Sequence, residues 1–95
     1  MNTLRSLIAA VPDTGRAVVL PGAYDALSAR LIEAAGFDAV YVTGAGFSNS
    51  GLGVPDIGLV TATELRDHVA RIADVVSVPL VVDADTGFGL SLIHI

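Results

Sequence analysis

The sequence predicts an α/β fold with parallel strands, on three observations. Short apolar runs without polar alternation recur at residues 17–20, 38–43 and 80–82, the form of strands buried on both faces. Segments with helical spacing separate them. Glycine, proline and aspartate gather just past the ends of the runs, at residues 21–25, 43–56 and 83–89. An order of strand, helix, strand, helix, strand implies a parallel sheet with right-handed crossovers. It fits either a (β/α) barrel or an open doubly wound sheet, and periodicity does not choose between them.

The elements follow in order. Behind Thr3, residues Leu4, Leu7 and Ile8 repeat at three and four positions, predicting a short amphipathic helix that covers one end of the sheet. Strand one is expected at residues 17–20, stopped by Pro21 and Gly22. Asp25 is an N-cap candidate for a helix with Leu27, Leu31 and Ala34 or Ala35 on its apolar face and Arg30 and Glu33 on the other; Gly36 sits at C′. Residues 38–43 read as strand two, which runs into a loop at 44–58 holding five of the ten glycines. A loop that long in a compact domain usually carries function. Thr61 and Glu64 have capping-box spacing ahead of a helix whose Ala62, Leu65, Val69, Ile72 and Val76 form one stripe. Glu64, Asp67, His68, Arg71 and Asp74 lie opposite, with Asp67 and Arg71 spaced for an ion pair. His68 accordingly reads as a solvated helix residue rather than a ligand. Val78 and Pro79 lead into strand three at residues 80–82.

Composition narrows the function. The chain has 95 residues, 53% apolar and 16% charged, which is globular composition for at most one domain. A complete (β/α) barrel takes roughly 250 residues, so a barrel reading covers only the first strands and helices. Ten acidic residues face five arginines and no lysine, for a net charge of −5. Without a basic patch, nucleic acid is not an expected partner. The lack of lysine excludes a Schiff-base lysine within these residues, and the lack of cysteine excludes a disulfide or a thiolate nucleophile. The apolar run at residues 7–11 is too short for a signal peptide, and the uncharged stretch at 39–55 is too rich in glycine for a membrane helix. A cytoplasmic location without membrane partners is expected.

Asp83 and Asp85 stand two apart on an extended segment, so both side chains point to one face with Cα atoms roughly 6.5 Å apart. Two carboxylates at the mouth of a sheet repel one another unless a divalent ion or a shared proton compensates. An isolated pair more often caps a turn and faces solvent. Here the apolar residues just before Asp83 place it at the carboxyl end of a buried strand, which favours a metal site, and oxygen-only ligands favour Mg²⁺ over zinc. The sequence Gly44-Ala45-Gly46-Phe47-Ser48-Asn49 invites a dinucleotide reading, but Asn49 occupies the sixth position and no helix is expected to follow directly. No phosphate-loop Gly-Lys-Ser/Thr ending is present. Residues 43–46 can offer a hydroxyl and backbone N–H groups to an anionic substrate. A plain tight turn is the alternative.

Four blocks now stand in order: Pro21-Gly22-Ala23-Tyr24-Asp25-Ala26, Tyr41-Val42-Thr43-Gly44-Ala45-Gly46, Leu52-Gly53-Val54-Pro55-Asp56 and Val82-Asp83-Ala84-Asp85-Thr86-Gly87-Phe88-Gly89. Together they resemble the isocitrate lyase and phosphoenolpyruvate mutase superfamily over residues 4–89. The resemblance implies that residues 1–89 are the N-terminal portion of a (β/α)8 TIM-type barrel, about three βα units and incomplete. It implies a Mg²⁺-dependent carbon–carbon bond lyase acting on 2-methylisocitrate or a related 2-hydroxy or 2-oxo acid through an enolate. Asp83 and Asp85 would hold the metal, directly or through water, and Thr43, Gly44 and Ala45 would contact the substrate carboxylate. Tyr41 and Asp56 would line the same pocket as catalytic residues. A full-length parent is expected to be a homo-oligomer, and these 95 residues alone are expected to be inactive.

The alternatives within the superfamily are an oxaloacetate decarboxylase and a phosphonopyruvate-processing mutase or hydrolase. Outside it, the alternatives are a non-catalytic flavodoxin-like binding module or a fragment with no activity. Ala45 replaces a glycine found in some members, which bears on substrate identity. Residues 90–95 break the family pattern and equal the translation of a transposase adapter used in preparing DNA libraries. They are expected to be a non-native tail.

Overall fold

β2 (Val40–Val42) is the centre of a parallel sheet in which β1 (Gly22–Ala23) and β3 (Leu80–Val82) flank it in the order β1-β2-β3. This is a computed structural model, and it describes residues 3–56 and 59–84. Gly22 and Ala23 stand opposite Tyr41 and Val42, which in turn stand opposite Val81 and Val82. Hydrogen bonds from Thr43 N–H to the Ala23 carbonyl (3.1 Å) and from Asp83 N–H to the Val42 carbonyl (3.1 Å) carry the ladder past the strand ends.

Pleating sends alternate side chains to opposite faces. Ala23, Val40 and Val42 are fully buried together with Ala29 of α3 (Ala26–Ala34) and Ile72 of α5 (Ala62–Ala73). Ile32, Val69, Val76, Val78 and Leu80 pack around them. The helices thus cover one face of the sheet. Gly22, Tyr41, Thr43, Val81 and Asp83 fall on the other, in register with one another.

Local chemistry explains the helices. α1 (Leu4–Ala9) begins at a Thr3–Ser6 capping box, and α2 (Val11–Thr14) closes on Gly15 at φ 66°. α3 begins where the Asp25 carboxylate accepts the Ser28 N–H at 2.7 Å and ends with Gly36 at φ 94°, the C′ position its sequence predicts. α5 starts at the predicted capping box: Glu64 N–H donates to the Thr61 hydroxyl (3.1 Å) and Thr61 N–H to the Glu64 carboxylate (3.0 Å). Its Leu65 and Ile72 are buried, as the stripe requires.

Four expectations are corrected. The strand predicted at residues 17–20 is instead the pair Gly22–Ala23. Extending the β1–β2 register backwards sets Leu20 opposite Ala39 and Val18 opposite Phe37, where the chain is still leaving α3, so no strand is there to pair with them. Leu27 and Leu31 of α3 are 66% and 62% exposed, and Ala29 and Ile32 face the core. That helix is apolar on several sides, so spacing could not select the buried stripe, and small Ala29 lets it lie close to β1. Residues 44–51 are helical, not an irregular loop: α4 (Gly44–Gly46) runs into a π-helical turn (Phe47–Gly51). Asp67 pairs with Arg66 at 3.7 Å rather than with Arg71, a solvent-exposed contact of small energetic weight.

Candidate active site

The uncovered face of the sheet ends in Asp83. This residue follows β3 directly, and its half-buried carboxylate accepts a hydrogen bond from the Tyr41 hydroxyl on the neighbouring strand. Tyr41 stands opposite Val81, two residues short of Asp83, so the phenol reaches along the strand to the carboxylate. Burial first, then the charge of Asp83 and the hydrogen bond to it, raise the Tyr41 phenol above its ordinary value. It therefore keeps its proton at neutral pH and acts as a donor.

Thr43 and Gly44 complete the corner. Thr43 ends the second strand in an extended conformation and caps α4, its hydroxyl oxygen accepting the Gly46 N–H at 3.1 Å. A hydroxyl that accepts there keeps its proton for another acceptor. The N–H groups of Gly44 and Ala45, in the first turn, have no partner inside the helix. Gly44 lies against Asp83 so closely that a Cβ on it would stand 3.2 Å from the Asp83 carbonyl and carboxylate oxygens. The strand–cap–helix connection thus puts Tyr41, Thr43, Gly44 and Asp83 in one place. The donor set described is oxygen only, which fits a hard divalent cation.

Ala45 occupies the middle of α4, half-buried. Asp56 is exposed beyond the π-helical turn, and among the described residues its side chain makes no hydrogen bond or ion pair. Asp85, the second proposed metal ligand, lies outside the described residues, as do residues 57–58 and 86–95. Among the described residues no cluster of three or more histidine, cysteine, aspartate or glutamate side chains is arranged to hold a metal.

Sequence reasoning missed the support beneath the corner. Ser48 is buried and donates its hydroxyl to the Gly44 carbonyl at 3.1 Å, a serine bonding back four residues in a helical turn. Its signal would have been visible only had the segment been read as helical. His68, expected in solvent, is 5% exposed and stacks on the buried Phe47 ring with centroids 4.1 Å apart and planes 16° from parallel. The helical wheel places it off the apolar stripe. It does not foresee that the π-helical turn folds over that side of α5.

A family model described as phosphoenolpyruvate phosphomutase matches residues 8–95. 2,3-Dimethylmalate lyase of Eubacterium barkeri is 49% identical over 92 residues, covering 94% of this chain and 30% of that protein. A crystal structure of 2,3-dimethylmalate lyase, described as a PEP mutase/isocitrate lyase superfamily member, superposes with a TM-score of 0.77 at 43% identity, covering 90% of this chain and 31% of that one. 2-Methylisocitrate lyase of Aeropyrum pernix is 50% identical over 72 residues, 76% of this chain and 23% of that protein. Phosphonopyruvate hydrolase, crystallised with oxalate and Mg²⁺, superposes with a TM-score of 0.74 at 35% identity over 98% of this chain and 33% of its own. The chain thus spans about a third or less of the length of the relatives it matches.

Proposed function

The chain belongs to the phosphoenolpyruvate phosphomutase family, and from that premise we propose that it is part of a Mg²⁺-dependent carbon–carbon bond lyase acting on 2-methylisocitrate or a related 2-hydroxy or 2-oxo acid. Its three parallel strands are the N-terminal part of a (β/α) barrel, which removes the open doubly wound sheet and the non-catalytic module from consideration. The observation that carries the proposal is the Tyr41–Asp83 hydrogen bond at the carboxyl ends of two adjacent strands. In a barrel that end of the strands is the catalytic one.

Asp83 and Asp85 would hold the Mg²⁺. An ion held there would supply positive charge to stabilise negative charge that develops on the substrate. Tyr41, holding its proton toward Asp83, fixes the orientation of that carboxylate. Thr43, with its hydroxyl proton, and the N–H groups of Gly44 and Ala45 are proposed to bind the substrate carboxylate. Asp56 is proposed as a further acid–base residue. Among the solved structures, 2,3-dimethylmalate lyase is closer to this chain in sequence than the phosphonopyruvate hydrolase, at 43% against 35% identity, which favours cleavage of a carbon–carbon bond over phosphonate hydrolysis. We also propose that the whole protein is a cytoplasmic homo-oligomer and that residues 90–95 are not native to it. Among the described residues no helix is long and apolar enough to cross a membrane.

The test is turnover of 2-methylisocitrate, 2,3-dimethylmalate and phosphonopyruvate by the family-length protein against Mg²⁺ concentration, for the parent, Asp83→Asn and Asp85→Asn. Asparagine keeps size and oxygen but loses the charge that holds the ion. Loss of ~4 kcal/mol of electrostatic stabilisation slows turnover roughly a thousandfold. Full activity in both variants, or activity indifferent to a chelator, would remove the metal from this account.

A further inference from the structure

α5 buries a titratable ring that the proposed chemistry does not use. The Nε2 atom of His68 is shut off from solvent and has no hydrogen-bond partner among the described residues. Leaving a ring nitrogen desolvated costs free energy, so such a group persists only where its surroundings gain by it. The gain is at Phe47. Its ring, 4% exposed, is sandwiched by the stack with His68 on one side and the backbone of Gly51 on another, where a Cβ would come within 2.7 Å of the ring. Phe47 in turn is tied into the corner. Its N–H donates to the Thr43 carbonyl at 3.0 Å, and its carbonyl accepts the Leu52 N–H at 3.2 Å. Ser48, the next residue, donates to the Gly44 carbonyl at 3.1 Å, and its carbonyl accepts the Val54 N–H at 2.9 Å.

We infer that His68 is a positioning residue: its neutral ring clamps Phe47 to α5 and so holds the turn at residues 43–48, and protonation of the ring releases that turn. The importance of the turn rests on the proposed function, which assigns it to the substrate carboxylate. The clamp itself rests on the stack and the hydrogen bonds. A neutral imidazole has one N–H and one acceptor nitrogen, whereas the cation has two N–H donors and a charge, and among the described residues the buried Nε2 atom meets no acceptor.

Charged groups around the ring set the balance. His68 lines an open groove of about 700 Å³ together with Asp25 from the start of α3 and Glu64, Asp67 and Arg71 from α5. Burial most strongly, and then Arg71, lower the ring's pKa, while Asp25 opposes them. The sign follows from linkage. With the folded ring below its ordinary value of 6.5, the opened turn takes up a proton first as pH falls. Opening is therefore indifferent to pH above about 6.5 and grows easier below it, until the folded ring itself titrates.

The experiment is performed on the family-length protein. NMR would follow the His68 ring, assigned by its absence from a His68→Gln variant, and amide hydrogen-exchange protection factors at residues 46–54, between pH 5 and 8. The expected result is a His68 midpoint below the ordinary value and protection that falls about tenfold per pH unit from about 6.5 down to that midpoint. His68→Phe keeps an aromatic stack without a titrating group and should make protection flat with pH; His68→Gln, in case the phenyl ring fits badly, should do the same at lower protection. An ordinary or raised midpoint, no protection at any pH, or a pH dependence unchanged in both variants would overturn the inference. Exchange is read without substrate, so its failure and failure of the proposed activity are separate results.

Discussion

Gly46 has no room for a side chain. A Cβ there would lie 2.6 Å from the Thr43 methyl and 2.9 Å from the Tyr24 Cβ, both close to the backbone and unable to swing aside. Its neighbour Ala45 already carries one. We expect Gly46→Ala to destabilise the protein by about 1–3 kcal/mol through forced displacement, and Ala45→Gly by only about 0.5–1 kcal/mol, the helix entropy of glycine. Urea denaturation of both variants beside the parent checks the order, and a Gly46→Ala variant as stable as the parent would refute it. Asp83 was legible at this scale because an apolar run ended on it. His68 was not, since its burial is decided by Phe47, twenty-one positions earlier in the chain.

Among the elements, α3 is fastened to the turn that enters β3 by one side chain. The Glu33 carboxylate accepts the Ser77 N–H at 2.7 Å, the Ser77 hydroxyl at 2.9 Å and the Val78 N–H at 3.2 Å. The backbone bond from Ser77 chiefly, then its hydroxyl, the Val78 N–H and the charge of Arg30, lower the Glu33 pKa against a weaker opposing effect of burial. A carboxyl lowered in the folded state contributes stability above its unfolded value of about 4.5 and loses it as pH falls through the folded one. Glu33→Gln should therefore lower the thermal midpoint at pH 7 and flatten its decline between pH 5 and 3, as circular dichroism melts across that range would show. Equal melting curves at every pH would count against the clamp. Nothing in the sequence announces this contact, because its partners are forty-four and forty-five residues apart. The capping boxes at Asp25 and Thr61, by contrast, were readable since each is closed by a residue three positions away.

Over the whole molecule, apolar surface remains uncovered. Leu27, Leu31 and Val19 are 66%, 62% and 60% exposed, Ile8 and Leu59 are more than half exposed, and among the described residues β1 and β3 each have a neighbour on one side only. Edges and apolar faces of this kind favour association. The chain should therefore self-associate, with a sedimentation-averaged mass that rises above 9.7 kDa as concentration increases; a concentration-independent monomer at ~100 μM, where weak contacts of this size are populated, would contradict this. By itself the sequence determined the parallel α/β pattern, the family, the helix caps, the third strand and the placing of Tyr41, Thr43, Gly44 and Asp83 at the carboxyl ends of strands. These are set by hydrogen bonds and periodicities that span a few residues, or by motifs that stand in order along the chain. Only the tertiary structure decided the register that moves the first strand to Gly22–Ala23, the stripe of α3 that faces the sheet, and the burial of His68 against Phe47. Each of these depends on which surfaces meet across a crossover, and a pattern within one element carries no information about the element packed against it.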